Sequence, residues 1–501
     1  MPEIPSVSDL IATLDRKRIR LSIVGGRIRY SGPQGCGQSA EVLQARQRAA
    51  EITSYMTSAR EHAQPMMPLG AYPREGPAPL SHMQRWWLDL EREVGQNMHT
   101  VLIIPVNTEM NVSVWQRAFD EVARRHESLR TRFVSDGSGI VPTVDQPDSV
   151  PMAVHDYSGH AAERREAMVD ELTVRLRFWR FQMLGGRLFA VSLVKLTEDS
   201  HVVLISAHHI LTDGWANRLL KEELQKTYSE LLIGRPTPRP ELRFQLTDYA
   251  FWESHWMGVS EGRDPCAHWT ARLSGVLPMD PATDAPRGKA PTAHPEATQQ
   301  VVLSKSTLSD LRRFSRSHGL TLAETLLAIY GLLLARWAQR SDVLIGNYMA
   351  GRIVPGTEVL LGCFARNQPI YLVIDSEVTV ADYMAQVHTS YLEALDLRRA
   401  VSMKLAWEKR LHCVIASFGK FEIEVDAPPA VAPAGGSLPV NHEVALFLTE
   451  TKSLMFGEIS YAADLYSSAR MTTLRNDLCA VAAGLHELQS SRIGDVMKLA
   501  G

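Results

Sequence analysis

The stretch Ser206-Ala207-His208-His209-Ile210-Leu211-Thr212-Asp213-Gly214-Trp215 decides how the rest of the chain is interpreted. It follows a short apolar run, Val202 to Ile205, which predicts a buried strand, and it precedes a helical pattern from Gly214 to Leu232. Sites in α/β structures are usually built where strands end. We therefore expect the polar residues of this stretch to lie at a functional site of an α/β protein.

Two neighbouring histidines open this candidate site. Adjacent side chains of an extended segment point to opposite faces, so His208 and His209 cannot easily chelate one metal ion. The sequence has no H-E-x-x-H pattern and no Cys/His cluster with ligand spacing, and we predict no metal site. One imidazole at a cleft can instead take a proton from an attacking amine or hydroxyl. Asp213 either shapes the loop or caps the next helix, and Gly214 permits close backbone approach or an unusual φ/ψ.

The composition excludes several classes of protein. A length of 501 residues suggests roughly three domains. Its 53 bases and 56 acids leave a net charge of −3, which disfavours a nucleic-acid binder. Five cysteines without a C-x-x-C spacing favour a reducing compartment. The sequence begins without a secretion-signal pattern and offers no apolar run of the roughly 20 residues that a bilayer requires. We predict a cytoplasmic monomer that binds neither membrane nor nucleic acid.

The H-H-x-x-x-D-G spacing resembles the active-site signature of non-ribosomal peptide synthetase condensation domains, which chloramphenicol acetyltransferase and related acyltransferases share. Further segments similar to the family's motifs lie in the family's order between about residues 77 and 495. They are Pro79-Leu80-Ser81 with Gln84 and Trp87, Arg125 to Phe133, Asp248 to Trp252, His268 to Leu273, Ile345 to Arg352, Leu361 to Phe364, and Ile459 to Tyr466.

The resemblance implies an α/β (α+β) fold of two chloramphenicol-acetyltransferase-like lobes forming a V. We place the N-lobe at residues 77–240 and the C-lobe at residues 241–501. By motif position His209 is the catalytic histidine, in a tunnel between the lobes, whereas His208, Asp213 and Gly214 support the site. The family's aspartate points away from the tunnel and pairs with an arginine, for which Arg352 is the best candidate.

The chain also departs from the family's pattern around the substrate channel. Phe364-Ala365-Arg366-Asn367 stands where the family has F-V-N-T, and Leu397 to Val401 replaces the segment H-Q-x-x-P-F. Phe181-Gln182-Met183 replaces the usual Phe-Asp-Leu. These departures leave the proposed chemistry intact but put the usual aminoacyl-carrier acceptor in doubt.

Residues 1–60 predict a separate module, followed by a linker over residues 61–76. Two alternating runs flank Gly25-Gly26, a strong hairpin signal, and a helix is expected from about Ser39 to Ala59. The order α-β-β-α resembles the TubC-type, or β-hairpin, docking domain, which binds a short C-terminal segment of an upstream assembly-line protein. Residues 1–31 hold six bases and three acids, and the docking hairpin would use four of those bases: Arg18, Arg20, Arg27 and Arg29.

We therefore predict a free-standing condensation domain that acts in secondary-metabolite biosynthesis at chain release. It would transfer an acyl, polyketide or peptidyl thioester from a phosphopantetheinyl carrier protein to an amine or hydroxyl, free or carrier-bound, and form an amide or ester. The chain itself would bind no cofactor. A catalytically silent carrier-binding scaffold is the alternative, although the intact His209 and Asp213 argue against it. The sequence contains no glutamate motif of the epimerase type, which argues against an epimerase. A heterocyclisation domain is excluded because it would carry aspartates in place of the two histidines.

Overall fold

A computed structural model of the chain describes residues 10, 14, 19–24, 27–31, 36–49, 51–52, 68–72, 77–94, 98–137, 139–235, 237–258, 264–287, 294–396, 399–420, 439–440, 442–488 and 490–500. The backbone contacts divide the chain into two compact units. Unit 1 comprises Met1–Pro65, Cys266–Met349 and Asn367–Gly501, and unit 2 comprises Met66–Pro265 and Ala350–Arg366.

The N-terminal part of unit 1 contains the predicted hairpin. Strands β1 (Arg20–Val24) and β2 (Arg27–Ser31) pair antiparallel, with Leu21 opposite Tyr30 and Ile23 opposite Ile28. A 3-10 turn (Cys36–Gln38) and helix α1 (Ala40–Gln47) follow, and the Ser39 hydroxyl caps α1. A small apolar core joins these elements, formed by Leu10, Leu14, Ile19, Leu21, Val42, Ala45 and Ile52. The described residues of the module thus have a core of their own.

Unit 2 is built on a four-stranded sheet covered by helices. Its elements are α2 (His82–Val94), β3 (His99–Val106), α3 (Val112–Arg125), β4 (Thr131–Ser135), β5 (Ile140–Val144), β6 (Met152–Asp156), α4 (Ala162–Arg177), β7 (Phe189–Lys195), β8 (His201–His208), α5 (Gly214–Leu232) and α6 (Leu246–Trp256). The strand order in the main sheet is β3-β8-β7-β6, and β4 and β5 form a separate hairpin. β8 is antiparallel to both of its neighbours, and all of its residues are buried.

The core of unit 2 fixes the position of β8. Helix α3 buries Trp115, Ala118, Phe119 and Val122 along one face, as its amphipathic spacing predicts. The Trp115 ring stacks on Tyr228 of α5, and its indole N–H donates to His201 at the start of β8 over 2.8 Å. The start of β8 is therefore held by α3 and α5, while its whole length is held between β3 and β7.

Unit 1 contains a seven-stranded sheet with the order β11-β10-β12-β14-β15-β9-β13. Its remaining elements are α7 (Ala267–Arg272), β9 (His294–Leu303), α8 (Lys305–Ser317), α9 (Leu322–Ala338), β10 (Asp342–Met349), β11 (Arg366–Val373), α10 (Val380–Leu395), α11 (Met403–Glu408), β12 (Val414–Lys420), β13 (Pro439–Val440), β14 (Val444–Glu450), β15 (Met455–Ala462), α12 (Ser468–Gly484) and α13 (Ile493–Met497). The predicted mixed α/β class is confirmed, and β1 and β2 of the N-terminal hairpin lie against α10.

Two buried ion pairs lie within unit 2 and join segments that are distant in the sequence. Helix α6 belongs to unit 2, and Glu253 of that helix forms a buried ion pair with Arg366. Residues 350–366 also belong to unit 2, and Arg352 of this segment forms an ion pair with Asp213. The predicted domain limits, including residues 1–60 and 61–76, and the V-shaped arrangement remain predictions.

The helices also bear on the predicted absence of a membrane span. Among the described residues, no single helix is long and apolar enough to cross a membrane, whereas α8 and α9, bent by 100° relative to each other, meet that criterion only as a pair.

Candidate active site

The predicted site lies in the turn that links the end of β8 to the start of α5. The Leu211 N–H donates to the carbonyl of His208, and the Thr212 N–H donates to the carbonyl of His209, so the chain turns sharply after the strand. The His209 N–H donates to the Met98 carbonyl, just before β3. The turn is thus tied to the neighbouring strand as well as to its own.

His208 is a buried, neutral imidazole. Its side chain is fully buried, and Nδ1 accepts a hydrogen bond of 3.0 Å from the Ile210 N–H. Its Nε2 is buried without a hydrogen-bond partner. Burial lowers the pKa of His208 to about 3, with a smaller contribution from the neighbouring His209. An acceptor role at Nδ1 and a neutral ring agree with the supporting role predicted for this residue.

Because His208 is neutral when folded, it should make stability depend on pH. Its folded pKa of about 3 lies below the unfolded value near 6.5, so its stabilising effect is present above pH ~6.5 and is lost as the pH falls. His208→Asn keeps a side-chain acceptor but does not titrate there. Between pH 7.5 and pH 5, the wild type should lose about 2 kcal/mol more unfolding free energy than the variant. Urea unfolding at the two pH values measures this difference. The exposed control His160→Asn should show the same change of unfolding free energy with pH as the wild type. If His208→Asn also shows the wild-type change, His208 is not held neutral by burial.

His209 is oriented as a base. Its Nδ1 lies 3.2 Å from the carbonyl oxygen of Thr212, which can only accept, so Nδ1 carries the proton and Nε2 is the basic nitrogen. The Thr212 hydroxyl donates to Asn217 over 2.6 Å, and the Asn217 amide donates to Thr100 on β3. Burial lowers the pKa of His209, which the Thr212 carbonyl and Asp213 partly oppose. The imidazole is therefore neutral near pH 7 and able to accept a proton.

Asp213 is fully engaged as a structural acceptor. Its Oδ1 accepts from the Ala216 N–H at 2.8 Å, which caps α5, and from the Arg352 guanidinium at 3.2 Å. Its Oδ2 accepts from the N–H groups of Phe364 and Ala365 at 2.9 and 3.1 Å. Both alternatives that the sequence left open are therefore correct, since Asp213 caps the helix and also fixes the loop. A carboxylate with four donors is poorly placed to exchange protons.

Arg352 is the partner of Asp213, so the ion pair predicted from the sequence is present. The guanidinium also donates to three carbonyls, those of Thr357, Leu360 and Gly362, over 2.6 to 3.1 Å. Burial lowers the pKa of Arg352, and the Asp213 carboxylate opposes that change. Arg352 therefore links residues 357–362 to the Asp213 carboxylate.

Glycines at this site differ in what they contribute. Gly351 has a φ of +66°, and a Cβ there would lie 2.0 Å from the Phe364 carbonyl, so only glycine fits. Gly214 is the first residue of α5, its φ is not in the left-handed region, and a Cβ would meet no protein atom within 4 Å. The unusual φ that the sequence allowed is therefore not observed, whereas a close approach to the backbone of Gly214 remains a prediction.

Arg366, noted in the sequence only as a departure, forms a second buried ion pair in unit 2. It pairs with Glu253 of α6, and the Tyr249 hydroxyl and the His82 N–H donate to the same carboxylate over 2.8 and 2.5 Å. Burial and the positive charge of Arg366 lower the pKa of His82 to about 3. Sequence reasoning missed this pair because its partners are 113 residues apart and no motif joins them.

The predicted docking arginines lie largely beyond what the structure describes. Arg18 is outside the described residues, and only the backbone of Arg20, Arg27 and Arg29 is described, as part of β1 and β2. The docking role of these arginines remains a prediction.

The described residues contain no group of three or more His, Cys, Asp or Glu side chains that could hold a metal ion.

The fold defines a mixed α/β protein in which the turn after β8 carries a histidine oriented as a base, and the comparisons with known proteins identify its family. A sequence model of the Condensation domain matches residues 74–401. The chain belongs to the condensation domain family.

Similar curated proteins are large synthetases. The chain is 27% identical over 425 residues to one protein of the linear gramicidin synthase of Brevibacillus parabrevis, covering 81% of this chain and 8% of that protein. It is 31% identical over 335 residues to a second protein of the same synthase, covering 66% of this chain and 4% of that protein. The chain thus spans less than a tenth of the length of either relative.

Solved structures with the same fold come from assembly-line biosynthesis systems. The X-domain in a complex with OxyB from teicoplanin biosynthesis aligns with a TM-score of 0.70 at 24% identity, covering 87% of this chain and 98% of that one. A condensation domain for chain release from the enacyloxin polyketide synthase aligns at 0.64 and 18%, covering 97% of each chain. The EpoB cyclization-docking bidomain from Sorangium cellulosum aligns at 0.65 and 15%, covering 97% of this chain and 100% of that one.

Proposed function

We propose that this chain is an acyltransferase that joins a carrier-bound acyl thioester to an amine or hydroxyl. The observation that carries the proposal is the geometry of His209, whose Nδ1–H is held by the Thr212 carbonyl while Nε2 is left basic. Family membership supports the same reaction class. The acyl donor would arrive on the phosphopantetheine arm of a carrier protein, and the chain itself would bind no cofactor.

In the proposed reaction His209 carries one proton from the nucleophile to the leaving group. Nε2 accepts the proton of the attacking amine or hydroxyl as the new C–N or C–O bond forms at the thioester carbon. The C–S bond then breaks, and the same proton goes to the departing thiolate of the carrier arm. The neutral His208 and the Asp213 carboxylate, which accepts from four donors, hold the turn that orients His209.

The direct test is intact-mass analysis of an acyl-loaded carrier protein incubated with the chain and candidate amine or hydroxyl acceptors. Loss of the acyl mass from the carrier together with appearance of an amide or ester product supports acyl transfer. Carrier binding without any turnover, across acceptors of both kinds, would instead support the catalytically silent scaffold.

We further propose that chain release is the step served by this activity and that the N-terminal hairpin docks the upstream carrier protein. Support for chain release comes from the enacyloxin domain, which mediates chain release from its synthase and whose alignment covers 97% of this chain. Support for docking comes from the cyclization-docking bidomain, which also covers 97%, whereas the X-domain covers 87%. The difference in coverage is consistent with a structural match to the N-terminal module.

The docking proposal predicts a charge-dependent interaction. An acidic C-terminal segment of the carrier could add as a strand beside the hairpin of β1 and β2. Reversal with Arg27→Glu and Arg29→Glu should lower kcat/KM for the cognate carrier about tenfold, because exposed contacts are worth about 0–1 kcal/mol each. Docking should be on the order of micromolar and should weaken as salt rises. Initial rates at low carrier concentration and at two salt concentrations measure both effects.

The matched control reverses two exposed arginines of α8 in the same unit, Arg313→Glu and Arg316→Glu, which changes the net charge equally. This control should keep the wild-type rate. A small thioester mimic needs no docking, so the hairpin reversal and a variant lacking residues 1–60 should both process it normally. Equal rates for the hairpin reversal and the control with loaded carrier would show that the hairpin does not dock.

A further inference from the structure

The ring of Trp87, on α2, contacts both histidines of the site. Its indole lies parallel to the imidazole of His209, with the ring centroids 5.1 Å apart and the planes inclined by 9°. The same indole meets His208 edge to face, at 6.1 Å and 87°. Both distances lie in the range of attractive aromatic contacts. One side chain from a helix remote in sequence therefore packs against both imidazoles.

Cys363 holds this indole in place. The indole N–H donates to the Cys363 sulfur, with a nitrogen–sulfur distance of 3.3 Å. Cys363 is 4% exposed, and burial raises its pKa to about 12, so the thiol stays protonated and its sulfur acts as a weak acceptor. The next residue, Phe364, donates its N–H to Asp213. The segment that fixes Asp213 therefore also fixes the edge of Trp87.

The stack on Trp87 restricts the tilt of the His209 ring, which its single hydrogen bond does not do. The bond from Nδ1 to Thr212 fixes one atom of the imidazole, whereas a flat contact restricts the tilt of the whole ring. An indole face also attracts a cation, and the imidazole becomes a cation when it accepts the proton of the nucleophile. The contact therefore grows stronger as the transition state is approached, as catalysis requires.

We infer that Trp87 is a positioning residue for the catalytic histidine, that it stabilises the imidazolium form of His209, and that Cys363 sets its orientation. This inference deepens the proposed function and rests on it. The charged or titratable groups that interact electrostatically with His209 are Asp213, which caps α5, His99 on β3 and the preceding residue His208. Of these, His99 lowers the pKa of His209 and Asp213 raises it.

The experiment combines kinetics on a small thioester with NMR of histidines labelled at Cε1, and His209→Gln assigns the resonance. Trp87→Leu keeps an apolar neighbour but removes the π face. It should lower kcat about 3- to 30-fold with KM changed less than about twofold. It should also abolish the ring-current shift of His209 and lower its pKa, because the cation loses its partner. Trp87→Phe should restore most of the shift and of kcat.

The cysteine and a neighbouring tryptophan give the matched variants. Cys363→Ala removes the acceptor of the indole N–H and should reproduce part of the Trp87→Leu effect. Cys363→Ser offers an acceptor again and should bring kcat and the His209 signal back toward the wild-type values. Trp86→Leu alters the next residue of α2, whose ring faces His82, and should leave the His209 signal unchanged. These milder variants keep the test decisive if Trp87→Leu does not fold.

The outcomes separate this inference from the proposed function. If His209→Gln is inactive but Trp87→Leu leaves the ring-current shift and the pKa of His209 as in the wild type, the positioning inference is overturned and the catalytic role stands. If His209→Gln turns over like the wild type, the proposed function fails whatever the NMR shows. A fall in kcat for Trp87→Leu without any change in the His209 resonance would also overturn the inference, because it would reflect a structural effect alone.

Discussion

Replacing His209 with asparagine is expected to lower kcat for acyl transfer by about 10²–10⁴-fold, the usual contribution of a general base. Asparagine cannot accept the proton of the nucleophile. The free energy of unfolding should change by only about 1 kcal/mol, because His209 is half-buried and its side chain makes one hydrogen bond, to the Thr212 carbonyl. The measurements are single-turnover transfer from a loaded carrier and urea unfolding of both proteins.

The pH dependence sharpens this prediction. A protonated imidazole cannot act as the base, so the rate should fall as the pH drops through the pKa of His209. Burial lowers that pKa, which places the acid limb of kcat below the ordinary histidine value of about 6.5. His209→Asn should lack this limb, whereas the exposed control His160→Asn should keep both the rate and the limb. Turnover close to the wild type in His209→Asn would remove the catalytic assignment.

Local patterns in the sequence predicted the elements that hold the site. The apolar run Val202 to Ile205 predicted a buried strand, and the structure extends it to β8, His201–His208. The helix predicted from Gly214 to Leu232 has those limits in the structure, because Asp213 caps its first turn. Alternation around Gly25-Gly26 predicted the hairpin of β1 and β2, and the structure adds its register, with Leu21 opposite Tyr30. In each case the periodicity and the end signals lie within a few residues of one another.

Contacts between distant parts of the chain could be predicted only where a family motif supplied them. The pair of Asp213 and Arg352 spans 139 residues and was predicted because the family resemblance itself implies an aspartate–arginine pair. The stack of Trp87 on His209 and the pair of Arg366 and Glu253 were missed, because no local spacing encodes which helix packs beside a strand end. The orienting Thr212 carbonyl was missed for another reason: a backbone acceptor leaves no signal in residue types.

Breaking the pair between Asp213 and Arg352 should destabilise unit 2 strongly. Both side chains are buried, and removing one partner leaves an uncompensated charge, which typically costs about 3–5 kcal/mol. Asp213→Ala also orphans the N–H groups of Phe364 and Ala365 and removes the cap of α5. Arg352→Ala releases the three carbonyls that its guanidinium holds. Both variants should lose activity together with stability, because the same contacts orient the turn that carries His209.

A double-mutant cycle tests whether the two residues act as one unit. The double alanine variant leaves no buried charge unpaired, so it should be less destabilised than the sum of the single variants, by about 1–3 kcal/mol. Arg352→Lys keeps the charge but cannot hold three carbonyls and a carboxylate at once, and should recover only part of the loss. Urea unfolding of the four proteins of the cycle and of the lysine variant supplies these values.

The matched control is an exposed ion pair in the same unit, Arg164 with Glu171, whose side chains are 54% and 63% exposed and whose closest atoms are 2.8 Å apart. Its single variants should cost about 0–1 kcal/mol, and its cycle should be additive within about 0.5 kcal/mol, since water replaces whatever partner is lost. Additive losses at Asp213 and Arg352 as well would mean that the two residues do not stabilise one another. The loop around His209 would then depend on the backbone contacts of Asp213 alone, and Arg352→Ala would leave the pH profile of kcat unchanged.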